Sequence, residues 1–142
     1  MKAWQSWLVA LLIASSLTAS LSVTSVATAK TVEVNDPNGG LVMWYQYMWS
    51  KLASENVNVR VAGPCVSACT ILLGYIPRDH ICVTPGASFG FHLATMQFAT
   101  DDLWKAYPED IRSWINQHGG LTRQLIYLQG PTLLKLFHKC TG

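Results

Sequence analysis

The sequence predicts one α/β domain with a mostly parallel sheet. Two observations indicate the class: short β-branched runs alternate with helical patterns, and glycine-containing turns separate them. A third indicates the single domain, because residues 30–142 have the length of one domain once residues 1–29 are set aside. Strand, turn, helix, strand, turn, helix, strand is the order of β-α-β units. Their right-handed crossovers place successive strands parallel in one sheet.

The first half of the domain alternates strand and helix. TVEV (31–34) is β-branched and predicts a strand, and NDPNGG (35–40) predicts a turn with unusual backbone angles. Residues 41–55 have apolar side chains at helical spacing and predict a helix, before VNVRVAG (57–63) predicts a second strand. The apolar stripe, expected to face the core, consists of Leu41, Trp44, Tyr45, Met48, Trp49 and Leu52.

The middle of the chain predicts a short buried helix and two further extended segments. SACTILLG (67–74) follows a proline break and predicts a helix that begins near Ser67. HICVT (80–84) predicts a third strand, and SFGFH (88–92) predicts a last extended piece after a Pro-Gly turn.

The C-terminal third predicts helices. Residues 93–105 show no regular period and predict an exposed loop, whereas YPEDIRSWINQHGG (107–120) has the start and stop residues of a helix. TRQLIYL (122–128) and PTLLKLF (131–137) predict one or two closing helices.

Residues 1–29 have the pattern of a secretory signal peptide. Lys2 precedes a short apolar stretch and the small-residue exit Ala27-Thr28-Ala29. A membrane anchor is the alternative, but the many serines and threonines between positions 15 and 25 make the stretch too polar for a good span. We expect cleavage after Ala29, no membrane anchor afterwards, and an exported domain (30–142) in the periplasm or outside the cell.

The charge and the cysteine content of the sequence limit the kinds of partner and ligand that we expect. The exported part would carry nine Lys/Arg, the chain's ten less Lys2, against eight Asp/Glu, and it shows no basic stripe for nucleic acid. An even number of cysteines in an exported chain favours disulfides. A metal site is the alternative, but CVSAC lacks the two-residue gap of zinc knuckles, so we expect no metal and no cofactor. The disulfide candidates are Cys65, Cys69, Cys82 and Cys140, which allow three pairings.

Ser67 and His92 are a candidate nucleophile and base. A serine hydroxyl is a weak nucleophile until a base takes its proton. NDPNGG, GPCVS and SFGFH all fall at strand ends, and such ends meet at one edge of a parallel sheet. Backbone N–H groups of Gly40 and Ala68 would suit an oxyanion there. The alternatives are a helix-capping serine and a packed or solvated histidine, and the chain has no G-x-S-x-G motif.

Three segments, in order, resemble the proteolytic subunit of the Clp protease and its ClpP/crotonase-fold relatives. NDPNGG is similar to that family's S-P-G-G turn, GPCVSAC to its G-x-A-A-S-M segment and PGASFGFH to its P-N-(A/S)-R-x-M-I-H segment. The separation of Ser67 from His92 agrees with the family's spacing, and the C-x-S-x-C and F-G-F-H forms look closer still to exported bacterial relatives. The resemblance covers about residues 31–94. It implies a reduced ClpP/crotonase-like β-α-β spiral with a helical C-terminus, catalytic Ser67 and His92, and an oxyanion hole at Gly40 and Ala68.

The chain departs from the family at the third catalytic residue. The family has an aspartate after its last helix, and laying QGPTLLKLFHKC on that segment puts Cys140 at this position. Asp101, Asp102 and Asp110 come too early, so the acid is missing, replaced or supplied by a partner chain. The extra N-terminal strands and docking features are also absent from this sequence. The family's barrel assembly and unfoldase partner are therefore not expected, and homo-oligomerisation stays open.

The residues and the resemblance together predict an exported serine hydrolase, peptidase-like, which acts on a peptide or acyl substrate through a Ser67–His92 dyad. The alternative is a catalytically inactive ClpP-like binding or structural module stabilised by disulfides, which the missing acid favours. A crotonase-type enzyme on coenzyme A thioesters is disfavoured, because such enzymes need no Ser/His pair and an exported chain would not meet that cofactor.

Overall fold

A mixed six-stranded sheet organises the computed structural model, which describes residues 28–141. The signal-peptide prediction concerns residues 1–29, of which 1–27 lie outside the described part. The α/β class is confirmed. In the described chain the strands are β1 (Thr31–Asp36), β2 (Asn58–Val66), β3 (Ile81–Val83), β4 (Ser88–Phe91), β5 (Ile126–Gln129) and β6 (His138–Lys139). The α-helices are α1 (Val42–Ser54), α2 (Gln97–Ala106), α3 (Glu109–Gln117) and α4 (Gly130–Leu136). Two 3₁₀ helices span Ser67–Gly74 and Arg78–His80.

Strand β2 is the centre of the sheet. It pairs in parallel with β1 along one edge, from Thr31↔Asn58 to Asp36↔Cys65. Along its other edge, β3 pairs with its N-terminal half and β4 with its C-terminal half, both in parallel. The carboxyl ends of β1, β2 and β4 therefore lie at the same edge, as the strand order predicted.

The C-terminal segment corrects one prediction. TRQLIYL was expected to be helical, but β5 runs antiparallel to β4, from Ser88↔Gln129 to Phe91↔Ile126, and makes the sheet mixed. The burial of this strand has a period of two, with Tyr127 and Gln129 exposed and Leu128 buried between them. Only α4, over most of PTLLKLF, fulfils the expected helical C-terminus, and β6 adds a short strand beside β3.

A helix replaces the loop expected over residues 93–105. Helix α2 buries Ala99 and Leu103, which are spaced i, i+4 and therefore lie on one face. Thr100 is also buried, and its hydroxyl accepts the Ala94 N–H at 3.0 Å. Because the polar Thr100 lies on the buried face, the apolar residues of this segment do not show a helical period in the sequence.

The aromatic stripe of α1 is narrower than predicted. Trp49 is buried and Tyr45 is half-buried, but Leu41 and Trp44 are each 59% exposed. Trp44 instead packs on Tyr47, another exposed side chain, with ring centroids 5.9 Å apart. The prediction that every residue of the stripe faces the core was wrong for these two.

All four cysteines form disulfides, which confirms that prediction. Cys65 is bonded to Cys69 and Cys82 to Cys140, and the described residues include no free cysteine. Within residues 28–141, no helix is long and apolar enough to cross a membrane.

Candidate functional site

Ser67 has a left-handed backbone at the junction of β2 and the following 3₁₀ helix. Its φ is +58°, and in residues 28–141 Asn56 is the one other non-glycine residue with positive φ. For an L-residue this conformation costs about 1–2 kcal/mol. Such strain persists only when its surroundings impose it, and it occurs often at active sites.

One disulfide and one side-chain hydrogen bond hold the backbone of Ser67 in this conformation. The Cys65–Cys69 disulfide brackets the serine, with a Cα–Cα distance of 5.3 Å. The Thr70 hydroxyl donates to the Ser67 carbonyl at 2.6 Å, so its oxygen accepts the hydroxyl of Tyr107, also 2.6 Å away. Burial raises the pKa of Tyr107, which keeps this phenol protonated as a donor. No local sequence pattern pointed to Thr70 or Tyr107, because their contact joins segments 37 residues apart.

Gly39 contacts the serine turn directly. Its φ is +65°, and a Cβ at this position would lie 2.5 Å from the Val66 carbonyl oxygen and 2.9 Å from the Ser67 Cβ. It would also lie 3.1 Å from the Ala68 nitrogen. The NDPNGG turn therefore lies against the serine segment at their shared sheet edge, and Gly39 makes this contact.

Asp36 fixes the shape of the glycine turn. One of its carboxylate oxygens accepts the N–H groups of Asn38 at 3.2 Å and Gly39 at 2.9 Å, an Asx-type turn. Its other oxygen accepts the hydroxyl of Tyr45, and burial followed by this bond raises the pKa of Tyr45 to about 12. The NDPNGG motif contained the signal for Asp36, because aspartate before a glycine pair favours this turn.

The N–H of Gly40 is available in this arrangement. The Gly39 N–H is already bonded to Asp36, whereas none of the hydrogen bonds in residues 28–141 uses the Gly40 N–H. Ala68 is the second residue of its 3₁₀ helix, and the first N–H groups of a helix have no partner within it. The geometry is thus compatible with the expected oxyanion donors at Gly40 and Ala68.

His92 follows β4 at the end of the strand next to Ser67. The β2–β4 pairing ends at Val66↔Gly90, so Ser67 comes one position and His92 two positions beyond the last pair. His92 is half-buried and lines a cavity of about 600 Å³. In the described part of the chain, no hydrogen bond joins the Ser67 hydroxyl to the imidazole.

The helix-cap interpretation of Ser67 gains no support. The capping position of the 3₁₀ helix is Val66, and no side chain forms a cap hydrogen bond there. Nor does the Ser67 hydroxyl take part in any hydrogen bond within residues 28–141. A structural cap would occupy this hydroxyl, whereas here no bond among the described residues occupies it and a base could still take its proton.

No acid accompanies His92 among the described side chains. Cys140 lies beside β3, bonded to Cys82, and β3 is next to the N-terminal half of β2, away from Ser67. The residues that line the His92 cavity include no Asp or Glu. The third residue of the family's triad therefore has no counterpart in the described surroundings of His92.

Three kinds of group that acyl transfer uses lie at neighbouring strand ends: the Ser67 hydroxyl on a strained turn, the His92 imidazole after the adjacent strand, and backbone N–H groups of the glycine turn and the serine segment. In an apo structure, catalytic hydrogen bonds are often long and tighten only around substrate. No protein-family model matches this chain, and no curated protein sequence matches it.

Proposed function

We propose that this protein is an exported serine hydrolase, peptidase-like, built on a reduced ClpP/crotonase-type fold. The left-handed backbone of Ser67, φ +58°, is the observation that carries the proposal. Nucleophilic serines of other hydrolases are also exposed by strained strand-to-helix turns. The disulfide across Ser67 and the contact of Gly39 supply the constraint that such strain needs.

In the proposed reaction, the Ser67 oxygen attacks the acyl carbon while His92 takes the hydroxyl proton. Gly40 and Ala68 donate their N–H groups to the carbonyl oxygen as it becomes negative. His92 then gives the proton to the leaving group, and an acyl-serine ester remains. Water, activated by His92, hydrolyses this ester and restores the hydroxyl.

Export is supported by the disulfides. Two disulfides in a chain of this size are typical of oxidising compartments and rare in the cytosol. The secretory pattern of residues 1–29 provides the matching sequence signal. We therefore place the protein in the periplasm or outside the cell.

A catalytically inactive ClpP-like module is the second candidate. The absence of Asp and Glu from the described lining of the cavity around His92 favours it, because an unoriented histidine can cost orders of magnitude in rate. The free hydroxyl and the strained backbone of Ser67 favour the hydrolase, since a binding module has no need of either.

Turnover of a panel of peptide and ester substrates separates the two candidates. We expect Ser67→Ala and His92→Gln each to lower kcat by at least about 10²-fold, the range of positioned acid–base catalysis. Ser50→Ala is the matched control, because Ser50 is an exposed serine on α1 and its hydroxyl bonds only to a local carbonyl. Wild-type protein that turns over no better than Ser67→Ala across the panel would favour the inactive module.

A further inference from the structure

The cavity beside His92 has a single charged residue, the exposed Arg123, in its lining. It measures about 600 Å³, within the range of small-molecule sites, and its polar residues are His92, Thr95, Gln97, Thr100 and Arg123. Arg123 is the one residue of this lining with a permanent charge. A cavity with one cation and no carboxylate selects for an anionic ligand.

The antiparallel pairing of β4 with β5 brings Arg123 to this cavity. Beyond the last pair, Phe91↔Ile126, the two segments remain together, because the Leu93 N–H donates to the Thr122 carbonyl at 2.7 Å. Arg123 therefore lies next to the segment that follows His92. This arrangement depends on β5 and could not be predicted while residues 122–128 were expected to be helical.

Arg123 has no protein carboxylate as a partner in the described part of the chain. The two ion pairs within residues 28–141 join Arg60 to Glu33 and Arg78 to Asp110, and neither includes Arg123. Arg123 also donates no side-chain hydrogen bond to the described residues. A guanidinium offers a planar pair of N–H donors that matches a carboxylate in a bidentate geometry.

We propose that this cavity binds a carboxylate on the leaving-group side of the scissile bond. The position of the bond rests on the proposed function: His92 protonates the leaving group, so the leaving group lies on the side of His92, where Arg123 is. Because His92 and Arg123 line the same cavity, we place the free C-terminal carboxylate one residue beyond the cleaved amide, so the substrates would be peptides or N-acyl amino acids. The protein would release C-terminal amino acids.

The bond changes balance with water as the second substrate. The Ser67 oxygen forms an ester with the acyl carbon, the amide C–N bond breaks, and the proton taken by His92 goes to the departing nitrogen. The released amino acid keeps its carboxylate on Arg123 until it leaves. Water then adds to the ester carbon, the ester C–O bond breaks and Ser67 recovers its proton.

The test measures binding in the Ser67→Ala protein, which keeps the cavity but has no nucleophile. N-acetyl-dialanine with a free carboxylate and its C-terminal amide are titrated in turn, with amide chemical shifts of residues 92–100 as the readout. We expect the acid to bind about 10-fold more tightly than the amide, the size of one charge-assisted contact. Arg123→Gln should remove this preference. The matched control is Arg112→Gln, because Arg112 lies outside this cavity on α3.

Each outcome bears on one of the two claims. Equal binding of acid and amide, or no binding of either at millimolar concentration, would overturn the carboxylate site. A preference that survives Arg123→Gln would overturn the role of Arg123. A preference that Arg123→Gln removes, in a protein whose wild type turns over no member of the peptide and ester panel, would support the carboxylate site and reject the hydrolase instead.

Discussion

The two disulfides constrain different regions of the molecule. Cys65–Cys69 joins positions separated by 4 in the sequence, is buried and brackets the strained Ser67. Cys82–Cys140 joins positions separated by 58, is half-buried and ties the C-terminal strand β6 to β3. One disulfide lies at the carboxyl end of β2, where the candidate site is, and the other lies beside the N-terminal half of that strand.

Loop length separates their effects on stability. In the chain-entropy description, closing a loop of roughly 60 residues contributes about 4 kcal/mol, and closing one of about five residues contributes about 2 kcal/mol. The short bridge also maintains the strained backbone of Ser67, which offsets part of its contribution. Cys82–Cys140 therefore acts on the stability of the whole fold, whereas Cys65–Cys69 acts on the geometry of one turn.

The largest expected effect comes from removing the long bridge. The double variant Cys82→Ser/Cys140→Ser should lose about 4 kcal/mol of unfolding free energy, because its denatured state regains the freedom of a long loop. Urea unfolding followed by circular dichroism measures the loss. At temperatures where the variant is folded, labelling of Ser67 by a serine-directed probe should match wild type. A labelling defect in folded protein would show that this bridge also shapes the site.

Next in size is the effect of a methyl group at Gly39. Gly39→Ala should lose about 2–4 kcal/mol, the sum of left-handed strain and a forced contact with the Val66 carbonyl. Gly130→Ala is the matched control, because Gly130 has a similar positive φ, +59°, but nothing lies within 4 Å of its added Cβ. Thermal unfolding of both variants gives the contribution of the contact by difference. Equal losses would show that the glycine turn does not press on the serine segment.

The smallest change in stability is expected for the short bridge. Cys65→Ser/Cys69→Ser should lose less than about 2 kcal/mol, because the loop is short and its opening releases the strain at Ser67. We expect the labelling rate of Ser67 to fall more than the stability does. The rate is measured by intact mass against time, with folding checked by circular dichroism. Normal labelling in this variant would show that Gly39 and Thr70, rather than the disulfide, hold the backbone of Ser67 in its active geometry.

Local patterns predicted most of the parallel core. The β-branched runs at β1 and β2, the apolar period of α1 and the capped pattern of α3 each lie in one continuous segment, so the sequence contains their signals. The predictions that were wrong concern α2, which was expected to be a loop, and β5, which was expected to be helical. In α2 the buried Thr100 interrupts the apolar period, and β5 is a short strand separated along the chain from its partner, β4, by both α2 and α3.

The neighbouring strand ends of the candidate site could be predicted from the sequence, but the contacts around Ser67 could not. Ser67 and His92 follow strands that proved to be neighbours, which the β-α-β order implied. The contact of Gly39 with Ser67 depends on the approach of two turns that have α1 and β2 between them in the sequence, and the position of Arg123 depends on the register of β5. Such long-range contacts have no signal in a local window of sequence.

The decisive test of Ser67 as a nucleophile is labelling of purified residues 30–142 by a fluorophosphonate, with the adduct located by peptide mass spectrometry. A fluorophosphonate reacts with a serine only when a base and an oxyanion site activate the hydroxyl. We predict one adduct per chain, on Ser67, and none in Ser67→Ala protein of unchanged thermal midpoint. Folded wild-type protein that acquires no adduct, or acquires it equally in the Ser67→Ala variant, would contradict the assignment of Ser67 as a nucleophile.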